Sequence, residues 1–404
     1  MNTRYKGFSL FVAMLFSFIM ISSCSSSHEV AVIGGSDDAG TILNTVDIYD
    51  PVSGTFTKSA HVMSTGRLTA TATTLNNGTV LIAGGQSPNT TLNTAEIYQP
   101  ISDTFTLTAG VMNHPRVAHA ATLLDSSVVS GPLANKVLIT GGDVFSQAGT
   151  AELYDPQSGT FANTGNMATP RRQHTSVLIS HCGCAADGLV LVVGGYDNQS
   201  NVLSSAELYN PATQTFTPTG SLNTPRFRHT ATLLNDGTVL IAGGASQMAA
   251  KTGDINPALN TAEIYDPKTG KFTLTKGSMS ASREAHAASL LRDGTVLLTG
   301  GQDSHFLVEN TAELYNPSTG TFSATNTSCA GAPPPAGCMS SGRDFHISMT
   351  LDDGRVLIAG GVNSVFKTVS SAEIYNPSTK TFTSTGSLSS PREGPNASLI
   401  ITGR

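Results

Sequence analysis

One four-part unit repeats seven times along this 404-residue chain, and the repeat limits the fold more than any other feature. Gly-Gly pairs begin at Gly34, Gly84, Gly141, Gly194, Gly243, Gly300 and Gly360, each closing a short apolar run such as Val239-Leu-Ile-Ala. Runs of that length bounded by Gly read as buried strands. After a loop, a second strand brings an acidic residue and a Tyr two positions later: Asp47 in the first unit, then Glu96, Glu152, Glu207, Glu263, Glu313 and Glu373. Seven residues beyond each Tyr stands a Phe, from Phe56 and Phe105 to Phe322 and Phe382, and that spacing never varies. The connector between Tyr and Phe resembles Asp266-Pro-Lys-Thr-Gly, in which Pro presets a turn and Gly supplies a positive φ, so Tyr and Phe sit on a tight hairpin. An Arg then opens a further apolar run; the set is Arg67, Arg116, Arg171, Arg226, Arg283, Arg343 and Arg392. Each unit therefore predicts four strands: the Arg strand (a), the Gly-Gly strand (b), the acidic-Tyr strand (c) and the Phe strand (d).

Gly-Gly followed by spaced Tyr and aromatic residues in a unit of about 50 residues resembles the kelch repeat. That family usually carries Trp on strand d, and this chain has no Trp and uses Phe. The resemblance implies an all-β fold, a seven-bladed β-propeller of four-stranded blades, over residues 30–404. The first unit starts at strand b, and the chain ends with an Arg strand (Arg392 to Ile401) that has no successor. This last strand is expected to complete blade one and close the ring, leaving no seam between first and last blades.

Ahead of the repeat, Arg4 and Lys6 precede an apolar run from Phe8 to Ile21, too short for an ordinary membrane span and read as an export signal over residues 1–23. It ends in Ile21-Ser22-Ser23-Cys24, which resembles the lipobox of bacterial lipoproteins. The resemblance implies lipidation of Cys24, a short tether over 24–29 and a cell-envelope location; Ser25 in place of Asp favours the outer membrane in a Gram-negative cell. Several acyl chains give stable anchoring where one alone binds marginally. Net charge is −6 and charged residues are only 12% of the chain, so no basic field exists to hold nucleic acid. No cofactor is expected, and the protein is read as a monomer.

Strands alternate in direction, so the d–a and b–c loops share one face and the a–b and c–d loops the other. The seven Arg and the acidic residues of strand c begin from the first face. They either form one structural ion pair per blade, since buried charges need partners, or leave an Arg ring free for an anionic or sugar ligand. His119, His174, His229, His286 and His346 each follow their Arg by three residues, which suits a packing role. Loop length marks asymmetry better than residue type: the b–c loop of blade five spans Gly244 to Glu263, and the d–a loop into blade seven spans Phe322 to Arg343. Variable loops above a rigid scaffold gather binding sites. The candidate ligand residues are accordingly Arg226, Arg283 and Arg343, with His305 and Phe306 on the loop between. Insertions at Asp125 to Lys136 and Ser180 to Asp187 vary the other face as well. In an oxidising compartment, Cys329 and Cys338 are placed to form a disulfide across the d–a insertion, contributing roughly 2.5–3 kcal/mol by the loop-entropy argument. Cys182 and Cys184 read as a local bridge or, less simply, as metal or redox ligands.

Two functions compete. The first is a non-catalytic binding scaffold for a protein or carbohydrate ligand. The second is a carbohydrate-active enzyme of the galactose oxidase or sugar mutarotase type. A copper radical site of the former kind needs two Tyr and two His, and the repeat consumes every Tyr after Cys24 except Tyr196. An acid/base pair for the latter cannot be picked out among repeated Glu and Arg, so no catalytic or metal-binding residue is assigned.

Overall fold

The computed structural model describes residues 28–143, 149–248, 257–331 and 333–402, so the signal segment, Cys24 and most of the tether lie outside the described residues. Among these residues, twenty-eight strands form seven four-stranded antiparallel sheets with a, b, c, d as neighbours in each, as in Thr230–Leu233, Val239–Ala242, Ala262–Asp266 and Lys271–Leu274 of blade five. The molecule is a seven-bladed β-propeller, and its ring is closed as the repeat count requires. The last strand, Asn396–Ile400, pairs with Glu29–Ile33 in the register Val30↔Leu399, Ala31↔Ser398 and Ile33↔Asn396. That strand takes in Glu29, one residue inside the expected tether.

The repeat motifs explain the packing. Strand b is buried on both faces because a blade lies against each of its sides. Val239 and Ile241 pack with Leu191 and Val193 of blade four, whereas Leu240 and Ala242 pack with Val296 and Leu298 of blade six. An unbroken Val-Leu-Ile-Ala run is what such a position demands. The constant Tyr-to-Phe spacing is a cross-strand register: Tyr265 lies opposite Phe272, and the seven Tyr–Phe ring pairs sit 4.7–5.0 Å apart. Such a pair contributes about 0.5–1.5 kcal/mol beyond its buried area. The first glycine of each pair is fixed by the next blade. At Gly84 (φ 61°) a Cβ would stand 2.7 Å from the Arg116 carbonyl oxygen and 2.8 Å from the His119 ring. No side chain fits that joint.

The Arg does not open strand a. It lies four residues upstream of the paired strand, Arg226 before Thr230–Leu233 for example, in the turn that enters the blade. The d–a insertion into blade seven also takes an unexpected path. Its Ala336 carbonyl accepts a hydrogen bond from the Phe382 amide on the outermost strand of blade seven. The insertion therefore covers an outer edge, where an unpaired ladder needs protection, and does not rise as a wall over the channel mouth. Cys329 and Cys338 are bridged within it (Cα–Cα 5.6 Å), and Cys182 and Cys184 are bridged on the opposite face (Cα–Cα 5.2 Å).

Candidate binding face at the channel mouth

The turn into each blade is held by one ion pair. Arg226 Nη2 lies 3.0 Å from Glu263 Oε1, and its Nη1 donates to the carbonyls of Gly243 and Thr261 at 2.8 and 3.0 Å. The second oxygen of Glu263 accepts from the Asn223 amide at 2.8 Å. The same link joins Arg67 to Glu96, Arg116 to Glu152, Arg171 to Glu207, Arg283 to Glu313, Arg343 to Glu373 and Arg392 to Asp47. All seven Arg are fully buried. The expectation that Arg226, Arg283 and Arg343 face a ligand is therefore corrected: each guanidinium is committed to its own blade, and no donor is turned outward. Replacing Arg226 or Arg116 by Ala should cost a similar amount, about 3–5 kcal/mol, because each leaves a buried carboxylate unpaired. Urea unfolding of the two variants checks this, and a cost confined to blades five to seven would contradict it.

The five repeat His are part of the joints between blades. Each Nε2 bonds a Thr hydroxyl of the preceding blade: His119 with Thr71 at 3.0 Å, His174 with Thr140 at 2.9 Å, His229 with Thr175 at 2.9 Å, His286 with Thr230 at 3.0 Å, and His346 with Thr299 at 2.9 Å. Burial first, then the adjacent repeat Arg, pushes His119, His229, His286 and His346 down to about 3, and His174 well below its ordinary value. They are neutral wherever the protein is folded near neutrality.

What lines the mouth is the second residue after each Arg: Thr69, Ala118, Gln173, Arg228, Ala285, Phe345 and Gly394. All seven have φ between 48° and 57°. Six amide-to-carbonyl bonds run blade to blade from Thr69 through Ala118 and on to Gly394, at 2.9–3.4 Å. This belt over-determines a left-handed backbone that a side chain such as Phe345 otherwise resists. It encloses one end of a cavity of about 310 Å³. The variable residues of an invariant ring are what distinguish one blade from another here. Their sequence signal was the change of residue type at a fixed offset from Arg, and only the positive φ shows what it means.

Outside the belt, the b–c loops of blades one, four, six and seven share one five-residue turn, closed by Asp37, Asp197, Asp303 or Asn363. Its fourth position is left-handed, with Gly40 and Ser200 in two blades but Phe306 and Phe366 in the others. Phe306 is 39% and Phe366 59% exposed, and Leu307 and Val365 beside them are more so than Phe306. His305 stands at the tip, 84% exposed. The structure thus places His305 and Phe306 on the open face and adds Val365 and Phe366, which the sequence reading missed. The blade-five insertion reaches the same loop, its Ala258 amide donating to Ser304 Oγ at 2.9 Å; residues 249–256 of that insertion lie outside the described residues. Among the described residues no group of three or more His, Cys, Asp or Glu is arranged to hold a metal.

A closed ring of seven blades, with its repeated charges turned inward and blade-to-blade variation at the channel mouth, defines a propeller scaffold. The family model for the Kelch motif matches residues 20–61 and 179–223, which take in strands b, c and d of blades one and four. The chain is a kelch-repeat β-propeller.

Proposed function

We propose that this protein is an envelope-anchored scaffold that acts by binding, without catalysis, a carbohydrate or protein ligand on the face formed by the b–c and d–a loops. The observation that carries the reading is the exposed pair Phe306 and Phe366. Two bulky aromatics in left-handed backbone, on adjacent blades and open to water, add nothing to the core, and exposed apolar clusters of this kind mark interaction sites. The anchor supports the same face. Glu29 and Ile400 are paired at the a–b side of blade one, and His28 is pinned there by its amide and Nδ1 to Asp352 Oδ2 at 2.8 and 2.9 Å. Lipid on Cys24, a few residues upstream, would hold the a–b face to the membrane and direct the aromatic pair away from it.

A glycan array probed with the full chain and with the double variant Phe306→Ser, Phe366→Ser tests the reading. Wild type should bind a restricted set of glycans, and the variant should lose at least tenfold while keeping its melting temperature. Binding that the double variant retains in full would remove the aromatic pair from the site.

A further inference from the structure

The charge around the mouth is uneven in a way the repeat does not require. The residue directly after each repeat Arg is Leu68, Val117, Arg172, Phe227, Glu284, Asp344 or Glu393, so three successive blades (six, seven and one) bring carboxylates side by side. Each bridges the start of its own b–c loop, Glu284 to Gln302, Asp344 to Val362 and Glu393 to Ser36. The next residues in the chain, Ala285, Phe345 and Gly394, line the mouth cavity itself.

The cation shown against this arc is Arg228, which pairs with Glu284. Arg228 crosses from blade five, with Nη1 3.4 Å from Glu284 Oε2, Nε donating to Gln173 Oε1 at 3.2 Å and Cζ 5.0 Å from the centre of the Phe345 ring. Asp344 is only 4% exposed, and its Oδ1 has no hydrogen-bond partner among the described residues. A buried carboxylate oxygen in that state is an acceptor awaiting a donor. Three carboxylates with neutral His rings at the joints leave this arc of the mouth acidic, which favours a cation over an anion.

We propose that the arc of Glu284, Asp344 and Glu393 is a binding site for an ammonium or guanidinium group entering through the mouth, with Asp344 as its acceptor and Phe345 as its aromatic wall. Opposite charge on a desolvated carboxylate and a ring face beside it are the two features that favour such a cation. The site rests on the reading of this face as the binding face, and it narrows the ligand to a basic one.

Burial, then Glu393, pushes the Asp344 carboxyl up to about 7, with Glu284 adding to the rise and Arg228 opposing it. On its own turn Arg343 is locked to Glu373 and His346 is neutral, so neither changes charge in this range. A bound cation favours the ionised carboxylate. Binding should therefore be about tenfold weaker at pH 6 than at pH 8, and at pH 7 it should release up to about half a proton.

Calorimetric titration of the full chain in detergent with putrescine, with the peptide acetyl-Gly-Lys-Gly-amide and with acetyl-Gly-Gln-Gly-amide tests the site. At least one cation should bind with this pH dependence, and the Gln peptide should not. Tighter putrescine identifies a free amine as the ligand type, and a tighter Lys peptide identifies a polypeptide side chain. Asp344→Asn should weaken binding at least tenfold and abolish the pH dependence. Glu393→Gln, which leaves Asp344 in place, should move the pH midpoint downward. Neither cation binding at millimolar concentration, or both variants matching wild type across pH 6–8, would overturn the proposal. A glycan held through Phe306 and Phe366 while both cations are ignored would remove the arc and leave the binding face standing.

Discussion

A chain ending at Ser390 is expected to lose cooperative folding. It lacks Asn396–Ile400, which supplies the innermost strand of blade one and places Ala397, Leu399 and Ile400 against the cores of both neighbouring joints. It also lacks Arg392, so Asp47, fully buried on strand c, keeps its charge and loses its partner. That loss alone costs about 3–5 kcal/mol, a large share of an ordinary domain's net stability. The opened edge of Glu29–Ile33 is apolar and ready to pair with another chain, so aggregation should accompany the loss. Circular dichroism melts decide it: the truncated chain should show no sharp transition near that of the full chain, and an unchanged melting temperature would refute closure by the last strand.

Acid should destabilise the ring well above the range where carboxylates titrate. The five joint His are neutral in the folded state because burial has moved their pKa values down, whereas in the unfolded chain they take up protons near pH 6.5. A group depressed on folding contributes stability that is complete above its unfolded pKa and is lost as pH falls toward the folded one. Between pH 7 and pH 5 each His should cost about 2 kcal/mol. Asp344 acts in the opposite sense, because its folded pKa is raised to about 7, and it returns about 2 kcal/mol over the same interval. The net fall is on the order of 8 kcal/mol. Urea midpoints at the two pH values measure it, and His229→Gln should remove roughly a fifth of the His contribution. A flat profile from pH 7 to pH 5 would mean the His are not held neutral at the joints.

Much of this architecture was legible because it is written seven times. The strand-b runs, the Tyr-to-Phe register and the matching of one Arg to one acidic residue per unit are all present in the fold, since each is a local pattern imposed by the same neighbours in every blade. The site was less legible for the opposite reason. Arg226, Arg283 and Arg343 drew attention as charges near long loops, yet the turn that buries them depends on a left-handed residue two places on, and nothing in Gln173, Arg228 or Phe345 as residue types announces a positive φ. The path of the Cys329–Cys338 insertion toward the rim was equally hidden, because loop length carries no direction. Phe366 was findable: aligning the b–c turns places it opposite Phe306, Ser200 and Gly40, and a Phe where another blade has Gly is a departure that packing does not explain.

The proposed anchor at Cys24 would give the propeller a membrane side and a display side, and energy transfer to a labelled bilayer tests that proposal most directly. The acylated full chain, reconstituted in vesicles carrying a surface acceptor dye, would bear a donor at Ser378→Cys on a c–d loop or at Val365→Cys on a b–c loop, both exposed positions. Residues 25–27 reach no more than about 14 Å from Cys24 to His28, so the Ser378 donor should transfer strongly and the Val365 donor weakly. Equal transfer from both positions, or stronger transfer from Val365, would contradict the proposed anchoring and the face assigned to the ligand.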